Sequence, residues 1–400
     1  MNVWMLILTY YPYPEGGAER QCRKVVREFE RRGHTCTVVT SWNFGFRARK
    51  ELDGKTEVRR LGIRGIIKKD PPASSSSISV NVEQEKSRRS LLRRGVSFIY
   101  MLVHHLVFKI EFFFLVMRYR NEIDVLHIHE AHWLAGFGFC LGRVFGIPAI
   151  CKEAILPVRV GSKSKRVPMA GLWSWWGLRG NYIAMHDGIR TALINKGISE
   201  TRIWTIPNGV DLPIMDGKER DPNTVLYVGN FTQGVAHKAF DIIISAWAEV
   251  HRRLPQAILV MVGMGNSTEW QALARKLGCF EAIRFEGRQS NMDPYYRTAS
   301  LHILPSRKEG LSNALLEAQS YGLPSIVSNI PGNLAVVEHN YNGKIIPTED
   351  VKALSDSVVE LLVDSENRSR MSQNSRLCMK KNFSMHAICE DLLGCYRSIQ

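Results

Sequence analysis

The sequence has little that would indicate a disulfide-bonded or metal-binding protein. Its eight cysteines are scattered, with no C-x-x-C pair and no histidine set that completes a zinc site. This spacing favours reduced cysteines in a cytoplasmic protein. With only 16 Pro and 31 Gly in 400 residues, collagen-like and low-complexity chains are excluded. Apolar and charged fractions of 45% and 23% are ordinary for a globular protein and exclude a disordered chain.

Long uninterrupted hydrophobic runs are also missing. The first residues, MNVWMLIL, lack the basic segment and cleavage site of a signal peptide, so we interpret them as a buried strand. The stretch 96–117 is about long enough to span a bilayer, but Lys109 and Glu111 interrupt it, and mid-membrane charges are costly. Three interpretations stay open for it: a core helix, a helix in the membrane interface, and a transmembrane span.

Acidic residues are scarce in the first half. Residues 1–200 carry 32 Lys and Arg against 17 Asp and Glu, whereas residues 201–400 carry 21 of each. The net charge of +15 therefore comes entirely from the first half. Such asymmetry predicts that one domain faces an anionic surface: lipid headgroups, nucleic acid or a phosphorylated substrate.

Apolar β-branched runs alternate with helical patterns along most of the chain. This order of strand, helix and strand is typical of parallel α/β sheets, and it occurs twice, on either side of a Pro-, Gly- and Asp-rich segment, Thr205–Asp221. We predict two doubly wound, Rossmann-like domains, 1–205 and 206–380, that face a cleft. Within the first domain we expect a mobile basic loop and an apolar, membrane-facing helix over 70–117.

The stretch Leu304–Gly332 has the strongest chemical pattern. Glu309 follows a predicted strand, and Glu317 lies about two turns into the following helix. The backbone N–H groups of Gly310–Asn313 lie between them at a helix N-terminus, which suits a phosphate or a sugar hydroxyl. A carboxylate on either side would suit two hydroxylated groups. Taken alone, the pair could equally be two solvated surface glutamates.

Four segments together carry a family resemblance: YYPYPEGGAER, IPNGVD, YVGNFTQGVAHKAFD and PSRKEGLSNALLEAQSYGLPSIVS. In this order they resemble the retaining GT-B glycosyltransferases of glycosyltransferase family 4. The resemblance covers nearly the whole chain and is strongest in its second half. It also implies a C-terminal helix, 381–400, that crosses back to the first domain.

The resemblance implies roles for individual residues on the donor side. Glu309 would meet the donor sugar and Glu317 the nucleotide ribose, while Lys238 would contact the diphosphate. The loop and helix start Gly310, Leu311, Ser312 and Asn313 would bind the sugar and phosphates through backbone N–H groups. Gly16 and Gly17 would line the phosphates across the cleft, although a simple turn is the alternative. Arg288 would meet the base, unless it is an ordinary surface arginine.

One position departs from the family pattern. In many members the strand that precedes the family lysine, here Lys238, ends in a glycine that is followed directly by an arginine. In this chain Asn230 follows that glycine, Gly229. An asparagine cannot neutralise a phosphate, so an expected cation is missing at this point of the donor site. Lys238, His237 or an arginine elsewhere, Arg307 or Arg20, are candidates to replace it.

The acceptor side is less defined. His129 belongs to a histidine cluster, VLHIHEAHW, that could be structural, contact the acceptor or bind a metal. Lys152 and Glu153 occupy the place where many family members have a histidine, so either could contact the acceptor nucleophile or the reacting centre. By resemblance the transfer needs no metal and no cofactor.

The resemblance implies a retaining glycosyltransferase in cell-surface polysaccharide, lipopolysaccharide or glycolipid synthesis. Its donor would be a UDP- or GDP-sugar and its acceptor a saccharide, lipid-linked in our expectation. The basic first half fits a cytoplasmic protein attached to the anionic inner face of the plasma membrane. Nucleic acid is not an expected partner, because no nucleic-acid-binding motif is present. The alternatives are a catalytically silent sugar-nucleotide binder and another GT-B enzyme, such as a nucleotide-sugar epimerase.

Overall fold

The computed structural model describes residues 1–11, 16–42, 48–63, 83–129, 133–154, 169–215, 220–231 and 236–400. Side chains at 83–99, 170 and 236 lie outside this description. The predicted serine-rich part of the basic loop, and Glu130 and His132 of the histidine cluster, also fall outside the described residues.

The first half forms one twisted sheet. Its strands, in chain order, are β1 (Asn2–Leu6), β2 (Thr35–Ser41), β3 (Lys50–Asp53), β4 (Thr56–Leu61), β5 (Val125–His129), β6 (Ala149–Glu153), β7 (Asn181–Ala184) and β8 (Ile203–Thr205). Their spatial order is β3-β4-β2-β1-β5-β6-β7-β8. Every pairing is parallel except that of β3 with β4. The predicted doubly wound α/β architecture is therefore confirmed. Because β1, β5, β6 and β7 are parallel, the loops that follow them lie at one edge of the sheet.

Helices cover both faces of this sheet. Those of the described first half are α1 (Gly17–Arg31), α2 (Glu83–Tyr119), α3 (Trp133–Phe145), α4 (Ala170–Gly177) and α5 (Asp187–Ile194). Helix α1 buries Cys22, Val25, Val26 and Phe29, the stripe that its sequence period predicts. It stops before Gly33, whose positive φ of 78° is typical of the glycine that ends a helix.

Helix α2 corrects the prediction for residues 83–95. The basic run KSRRSLLRRG, which we expected in a mobile loop, is helical backbone continuous with the apolar segment. Arg, Lys, Leu and Glu are good helix formers. Because this run continues directly into the apolar helix, it can become helical by propagation without a separate nucleation step. Further along α2, Phe108, Phe112 and Val116 recur every four residues and are buried, so one side of the helix belongs to the core.

The second half repeats the architecture. Its strands are β9 (Thr224–Val228), β10 (Ile258–Val262), β11 (Ile283–Gly287), β12 (Leu301–Leu304), β13 (Ser325–Ser328) and β14 (Gly343–Ile346). They lie in the order β11-β10-β9-β12-β13-β14 and pair in parallel throughout. The helices are α6 (Phe240–Arg253), α7 (Thr268–Lys276), α8 (Asp293–Thr298), α9 (Asn313–Ser320), α10 (Pro331–Leu334), α11 (Val351–Val363) and α12 (Ser365–Cys378).

The chain crosses between the two sheets twice, at neighbouring places. After β8 it passes from the first sheet to the second, and before α13 (Met385–Ser398) it returns. The two crossings pair, because Val210 N donates to Phe383 O at 2.8 Å and Met385 N to Val210 O at 3.0 Å. Helix α13 then packs on the first sheet, where Ile388, Leu392 and Tyr396 join its core. The Pro-, Gly- and Asp-rich segment between the two domains is thus fixed by hydrogen bonds at Val210.

Candidate functional site

The starts of α1 and α9 meet between the two sheets. Asn313 Nδ2 donates to Gly17 O at 3.3 Å, and a Cβ at Gly17 would lie 3.0 Å from that same amide nitrogen. Asn313 Oδ1 accepts from Gln21 and from Asn208, each at 3.0 Å. Two helix N-termini, one from each domain, therefore lie side by side, and both favour negative charge between the domains.

The loop before α9 holds a paired carboxylate. Glu309 Oε1 accepts from Lys238 Nζ at 2.6 Å and from Ser306 Oγ at 2.8 Å. Lys238 ends a short 3₁₀ turn, Ala236–Lys238, that follows β9, and both side chains are mostly buried. Glu309 and Lys238 therefore lie side by side, and their charges compensate each other.

The residues between Glu309 and α9 place unbonded N–H groups at the domain boundary. Within the described part of the chain, the backbone N–H groups of Gly310, Leu311 and Ser312 donate to no protein acceptor. Ser312 caps α9 by accepting from Leu315 N at 3.3 Å. A Cβ at Gly310 would collide with the carbonyl oxygen of Ala154 in the other domain. Only glycine lets the two domains approach this closely at the helix start.

Glu317 lies just over one turn into α9, rather than the two turns that we predicted, because α9 begins at Asn313. Its Oε2 accepts from the Tyr296 hydroxyl at 3.0 Å. Its Oε1 lies 4.0 Å from Lys24 Nζ of α1, so the carboxylate faces the first domain. Lys24 also pairs with Asp211 at 3.3 Å. The arrangement puts Glu317 and Lys24 on opposite walls of one cleft.

Asn230 has a structural contact in addition to any ligand role. Its Oδ1 accepts from Met264 N at 3.1 Å and so ties the loop after β9 to the loop after β10. Two of the candidate replacement cations are not suited to a phosphate. Arg307 is already paired: it binds Asp241 through two hydrogen bonds of 2.9 and 2.6 Å and also pairs with Glu349. His237 is a poor cation, because burial lowers its pKa and the adjacent Lys238 lowers that pKa further.

Arg288 follows β11 at the same sheet edge and is exposed. Its guanidinium stands at the rim of the second domain, two strands from β9 in the sheet order. Its predicted contact with a base stays a prediction.

The acceptor-side residues are more deeply buried than expected. His129 ends β5, and Lys152 and Glu153 end β6; all three are at most 7% exposed. Lys152 Nζ donates to Pro207 O at 3.1 Å, and burial lowers its pKa to about 8. Glu153 Oε1 accepts from the neighbouring Ala154 N at 3.0 Å. In this state Glu153 therefore supports the local backbone, and its predicted catalytic contact stays untested.

A cavity of about 240 Å³ lies between the first sheet and the start of α9. Its walls include Lys152, His127, His129, Asn208 and the loop Gly310–Asn313. His127 stacks on His129 with ring centroids 4.7 Å apart, and its Nδ1 is 2.5 Å from the Tyr396 hydroxyl of α13. Burial holds the pKa of His127 well below its usual range, with His129 and Lys152 lowering it further. Among the described residues no group of three or more His, Cys, Asp or Glu side chains is arranged to hold a metal ion.

Two α/β domains that face each other across a cleft form the GT-B architecture of glycosyltransferases. The family model described as "Glycosyltransferase Family 4" matches residues 15–213, and "Glycosyl transferases group 1" matches 215–377. The two models together match about nine tenths of the chain. The protein belongs to the GT-B glycosyltransferases of family 4 and is a transferase enzyme.

Individual relatives are more distant. An uncharacterized glycosyltransferase of Haemophilus influenzae is 30% identical over 173 residues, which is 43% of this chain and about half (48%) of that protein. The UDP-Gal:alpha-D-GlcNAc-diphosphoundecaprenol alpha-1,3-galactosyltransferase of Escherichia coli is 23% identical over 66% of this chain and 73% of its own. The structure of Anabaena HepE in complex with UDP superposes with a TM-score of 0.70 at 14% identity, covering all of both chains.

Sequence reasoning missed Lys24, Gln21 and Tyr296. The first two share a helical face with Gly17, and this spacing of three to four residues could have placed them beside the glycines. Tyr296 carries no local signal, because its contact with Glu317 joins α8 to α9 across the domain.

Proposed function

We propose that this protein is a retaining glycosyltransferase that transfers a sugar from a UDP- or GDP-sugar to a saccharide acceptor. The observation that carries this proposal is the pair Lys238–Glu309 beside three unbonded N–H groups at the start of α9. A diphosphate supplies the anionic oxygens that this helix N-terminus and Lys238 attract. Glu309 then accepts hydrogen bonds from the sugar hydroxyls, and Glu317 from the ribose.

The transfer proceeds on one face of the sugar. The bond between the anomeric carbon and the phosphate oxygen breaks, and the acceptor oxygen bonds to the same face of that carbon. The acceptor's proton passes to the departing phosphate oxygen, so no separate protein base is needed. Lys238 and the helix start stabilise the charge that develops on the diphosphate, and the closed cleft holds the two reactants together.

The Lys238–Glu309 ion pair has a consequence for binding. Lys238 neutralises Glu309 through their ion pair. A donor phosphate draws Lys238 toward itself and leaves the Glu309 oxygens available to sugar hydroxyls. Lys238 and Glu309 thus bind the diphosphate and the sugar of one donor together. A free sugar or a free nucleotide would contact only one of the two side chains.

The experiment is a thermal-shift screen with UDP- and GDP-sugars, followed by transfer of a radiolabelled sugar into membrane extract. We expect one donor to raise the melting temperature, because it binds the folded state, and the product to keep the donor's anomeric configuration. An inverted product would refute the retaining step. Donor binding without transfer to any acceptor fraction would instead indicate a sugar-nucleotide binder.

We further propose that the acceptor is lipid-linked and that the enzyme attaches to the inner face of the plasma membrane. The Escherichia coli relative named for a diphosphoundecaprenol acceptor supports this acceptor class. The segment Tyr100–Tyr119 of α2 has a mean hydropathy of 1.6, so its length and composition alone would allow it to cross a membrane. Only 22% of this segment is buried in the protein. Its buried residues Phe108, Phe112 and Val116 pack in the first domain. This packing favours a helix that lies on the membrane surface over one that crosses the membrane.

The exposed side of α2 forms an apolar surface with cations beside it. Its exposed apolar residues are Val103, Leu106, Ile110, Phe113, Phe114 and Met117, joined by Val144 of α3 and Leu172 and Trp175 of α4. We call these residues the apolar surface. Arg118 and Arg120 are exposed at the end of α2, and Arg179 stacks on Trp175 at 3.6 Å. Apolar side chains flanked by arginines fit an anionic lipid headgroup region.

Vesicle cosedimentation tests this attachment. Replacing Leu106 and Phe114, which are 57% and 56% exposed, by serine should abolish binding to vesicles that contain phosphatidylglycerol. The matched control is Leu377→Ser on α12 of the second domain, where a leucine is 59% exposed. Equal binding to neutral and anionic vesicles, or equal loss in the control, would count against the proposal.

A further inference from the structure

One cavity at the domain boundary has hydrogen-bond donors on both sides. It is the cavity of about 240 Å³ between the first sheet and the start of α9, and none of its described wall residues is an aspartate or a glutamate. On the side of the second domain, the backbone N–H groups of Gly310 and Leu311 donate to no acceptor in the described part of the chain. On the side of the first domain, Lys152 and His127 form the wall. Donors on both sides without an acid suit an anion.

Lys152 carries a buried charge that no described side chain compensates. It is 6% exposed, and of its three N–H donors one is directed to Pro207 O at 3.1 Å. The titratable groups that face it are Cys22 of α1, Cys389 of α13 and His127 of β5. Burial raises the pKa of both thiols and lowers that of His127, so all three are neutral at pH 7, where Lys152 is still charged. An unpaired buried charge is costly, and an anionic ligand would remove that cost.

His127 gives a second, independent indication of a ligand in this cavity. Its side chain is 1% exposed, and its Nδ1 shares a hydrogen bond with the Tyr396 hydroxyl. Its Nε2, however, is buried and has no hydrogen-bond partner in the described part of the chain. A buried polar atom without a partner is unfavourable, and a bound group could supply that partner. When Nδ1 accepts from Tyr396, Nε2 carries the ring proton and can donate it to an anion.

Building on the proposed function, we propose that Lys152 and His127, together with the N–H groups at the start of α9, bind an oxyanion of the nucleotide-sugar donor in this cavity. A phosphate of the diphosphate and a carboxylate on the sugar share this chemistry, because both accept charge-assisted hydrogen bonds. Lys152 then supplies, from the first domain, a charge that Asn230 does not supply in the second. This assignment replaces the acceptor contact that the resemblance implies for Lys152. Because its donors come from both domains, the subsite is complete only when the domains enclose the ligand.

The test compares Lys152→Met with the wild type by calorimetry at pH 7. The probes are the nucleoside diphosphates UDP and GDP, the neutral donors UDP-glucose and GDP-mannose, and the acidic donors UDP-glucuronate and GDP-mannuronate. We expect the variant to weaken binding by about tenfold or more, as for a lost charge-assisted hydrogen bond. Equal weakening of every probe that the wild type binds assigns the oxyanion to the diphosphate. Weakening of an acidic donor alone assigns it to a sugar carboxylate.

Lys109→Met is the matched control. Lys109 of α2 belongs to the same domain, and burial lowers its pKa to about 8, as it does for Lys152. Its ammonium lies 4.9 Å and 4.8 Å from the ring centres of Trp133 and Trp173, and it is not among the residues that line the cavity. The same change of charge at this position should leave the binding of every probe near the wild-type value.

A second measurement uses the wild type and does not depend on a folded variant. Because the pKa of Lys152 is about 8, most of this amine has lost its proton at pH 9. An oxyanion that binds beside it favours the charged form, so binding at pH 9 should take up about one proton. Calorimetry in buffers of different ionisation enthalpy measures this uptake. We expect it to persist in Lys109→Met and to be lost in Lys152→Met.

Three results would overturn the assignment. The first is unchanged binding of all probes in Lys152→Met, and the second is an equal loss in Lys109→Met, which would indicate general electrostatics. The third is binding at pH 9 without proton uptake in the wild type. If the wild type binds no nucleotide or nucleotide-sugar at all, the proposed function itself fails. Binding in the wild type with any of the three results removes only the role of Lys152.

Discussion

Glu309 and Glu317 are both held by donors from neighbouring elements, but the donors differ. Glu309 shares one oxygen between Lys238 and Ser306, whereas Glu317 faces Tyr296 and, across the cleft, Lys24. The lysine that pairs with Glu309 is the one we assign to the diphosphate. The partners of Glu317 belong to the wall of the pocket. This difference predicts different kinetic effects for the two acids.

We predict that Glu317→Gln weakens donor binding and that Glu309→Gln mainly lowers turnover. Loss of the Glu317 charge removes a ribose contact made equally in the bound and transition states, so KM for the donor should rise by about tenfold. Loss of the Glu309 charge leaves Lys238 without its counter-ion and the reacting sugar without an anchor, so kcat should fall. Steady-state kinetics on both variants checks this, and full activity in both would show that the site is elsewhere.

Gly310 gives a second prediction at the residue scale. Gly310→Ala places a methyl group against the Ala154 carbonyl oxygen, so the domains must separate or the loop must shift. We expect kcat/KM to fall strongly, while the melting temperature changes little, because the collision is between domains and not within a core. The control is Gly394→Ala on α13, where a Cβ meets nothing within 4 Å. That change should stabilise the helix by up to about 1 kcal/mol.

Residue identity predicts part of this site. Glu309 and Gly310–Asn313 were predicted because the strand–loop–helix pattern puts them at a helix start, whereas Lys238 was predicted from the family resemblance alone. Helix spacing could have placed Lys24 beside Gly17, but the distances of Lys24 and Tyr296 to Glu317 depend on how α1 and α8 pack against α9. The burial of Lys152 and Glu153 was also missed, since a polar pair after an apolar run gives no sign of which side chain turns inward.

At the scale of elements, α13 packs on the core of the first domain and also makes a buried hydrogen bond with it, between Tyr396 and His127. Burial raises the pKa of the Tyr396 hydroxyl and lowers the pKa of His127, so two neutral groups share the hydrogen bond between that hydroxyl and Nδ1. Tyr396→Phe should lower the free energy of unfolding by about 1–3 kcal/mol, because the buried Nδ1 loses its hydrogen-bond partner. Urea denaturation measures this.

The control for that prediction is Tyr341→Phe, which removes the hydroxyl of a 38% exposed tyrosine from the second domain. It should be close to neutral, because water replaces the hydroxyl's contacts. A Tyr396→Phe protein as stable as the wild type would show that the bond contributes nothing net.

Element patterns were predictable where the apolar period was strong. Strands β1, β5, β9 and β12 are nearly continuous apolar runs, and β5, β9 and β12 were placed to within a residue. Strand β1, predicted over Val3–Thr9, ends three residues earlier at Leu6. Strands β3 and β4 were missed, because KELD and TEVRRL alternate charged and apolar residues at a sheet edge, where burial is partial. The basic part of α2 was missed because charge runs resemble loops when no apolar stripe accompanies them.

At the scale of the whole molecule, a buried ammonium makes stability depend on pH. Lys152 has a pKa of about 8 in the folded protein, against about 10.4 when unfolded. Between these values the unfolded chain binds more protons, so the contribution of Lys152 to the free energy of unfolding rises with pH. At about 1.4 kcal/mol per pH unit, the wild type should gain up to about 3 kcal/mol relative to Lys152→Met between pH 8 and pH 10.4.

Urea midpoints at pH 7.5 and pH 10 measure this difference. Other buried groups titrate in the same range, so only the difference between the two proteins is informative. The control, Lys352→Met, replaces an 86% exposed lysine whose pKa is raised by Asp356, and it should show no such gain. A difference that stays constant with pH would mean that Lys152 is solvated in the folded state.

The division into two α/β units could be predicted from the sequence, because each unit repeats the alternation of strand and helix. How the units face each other could not, since Gly310 against Ala154 and Gly17 against Asn313 are contacts between residues that are distant in the chain. The charge asymmetry predicted that the first domain meets something anionic. We propose that this contact is made by the exposed side of α2 and α4.

The paired crossings at Val210 and Phe383–Met385 restrict how the halves can separate. Because both connections leave the same edge, the remaining freedom is a swing about that edge, and the widest gap opens at the opposite end. A protease that cut either connection would leave the other intact, together with the docked C-terminal helix. A nicked chain should therefore migrate as one particle under native conditions and as two fragments only after denaturation.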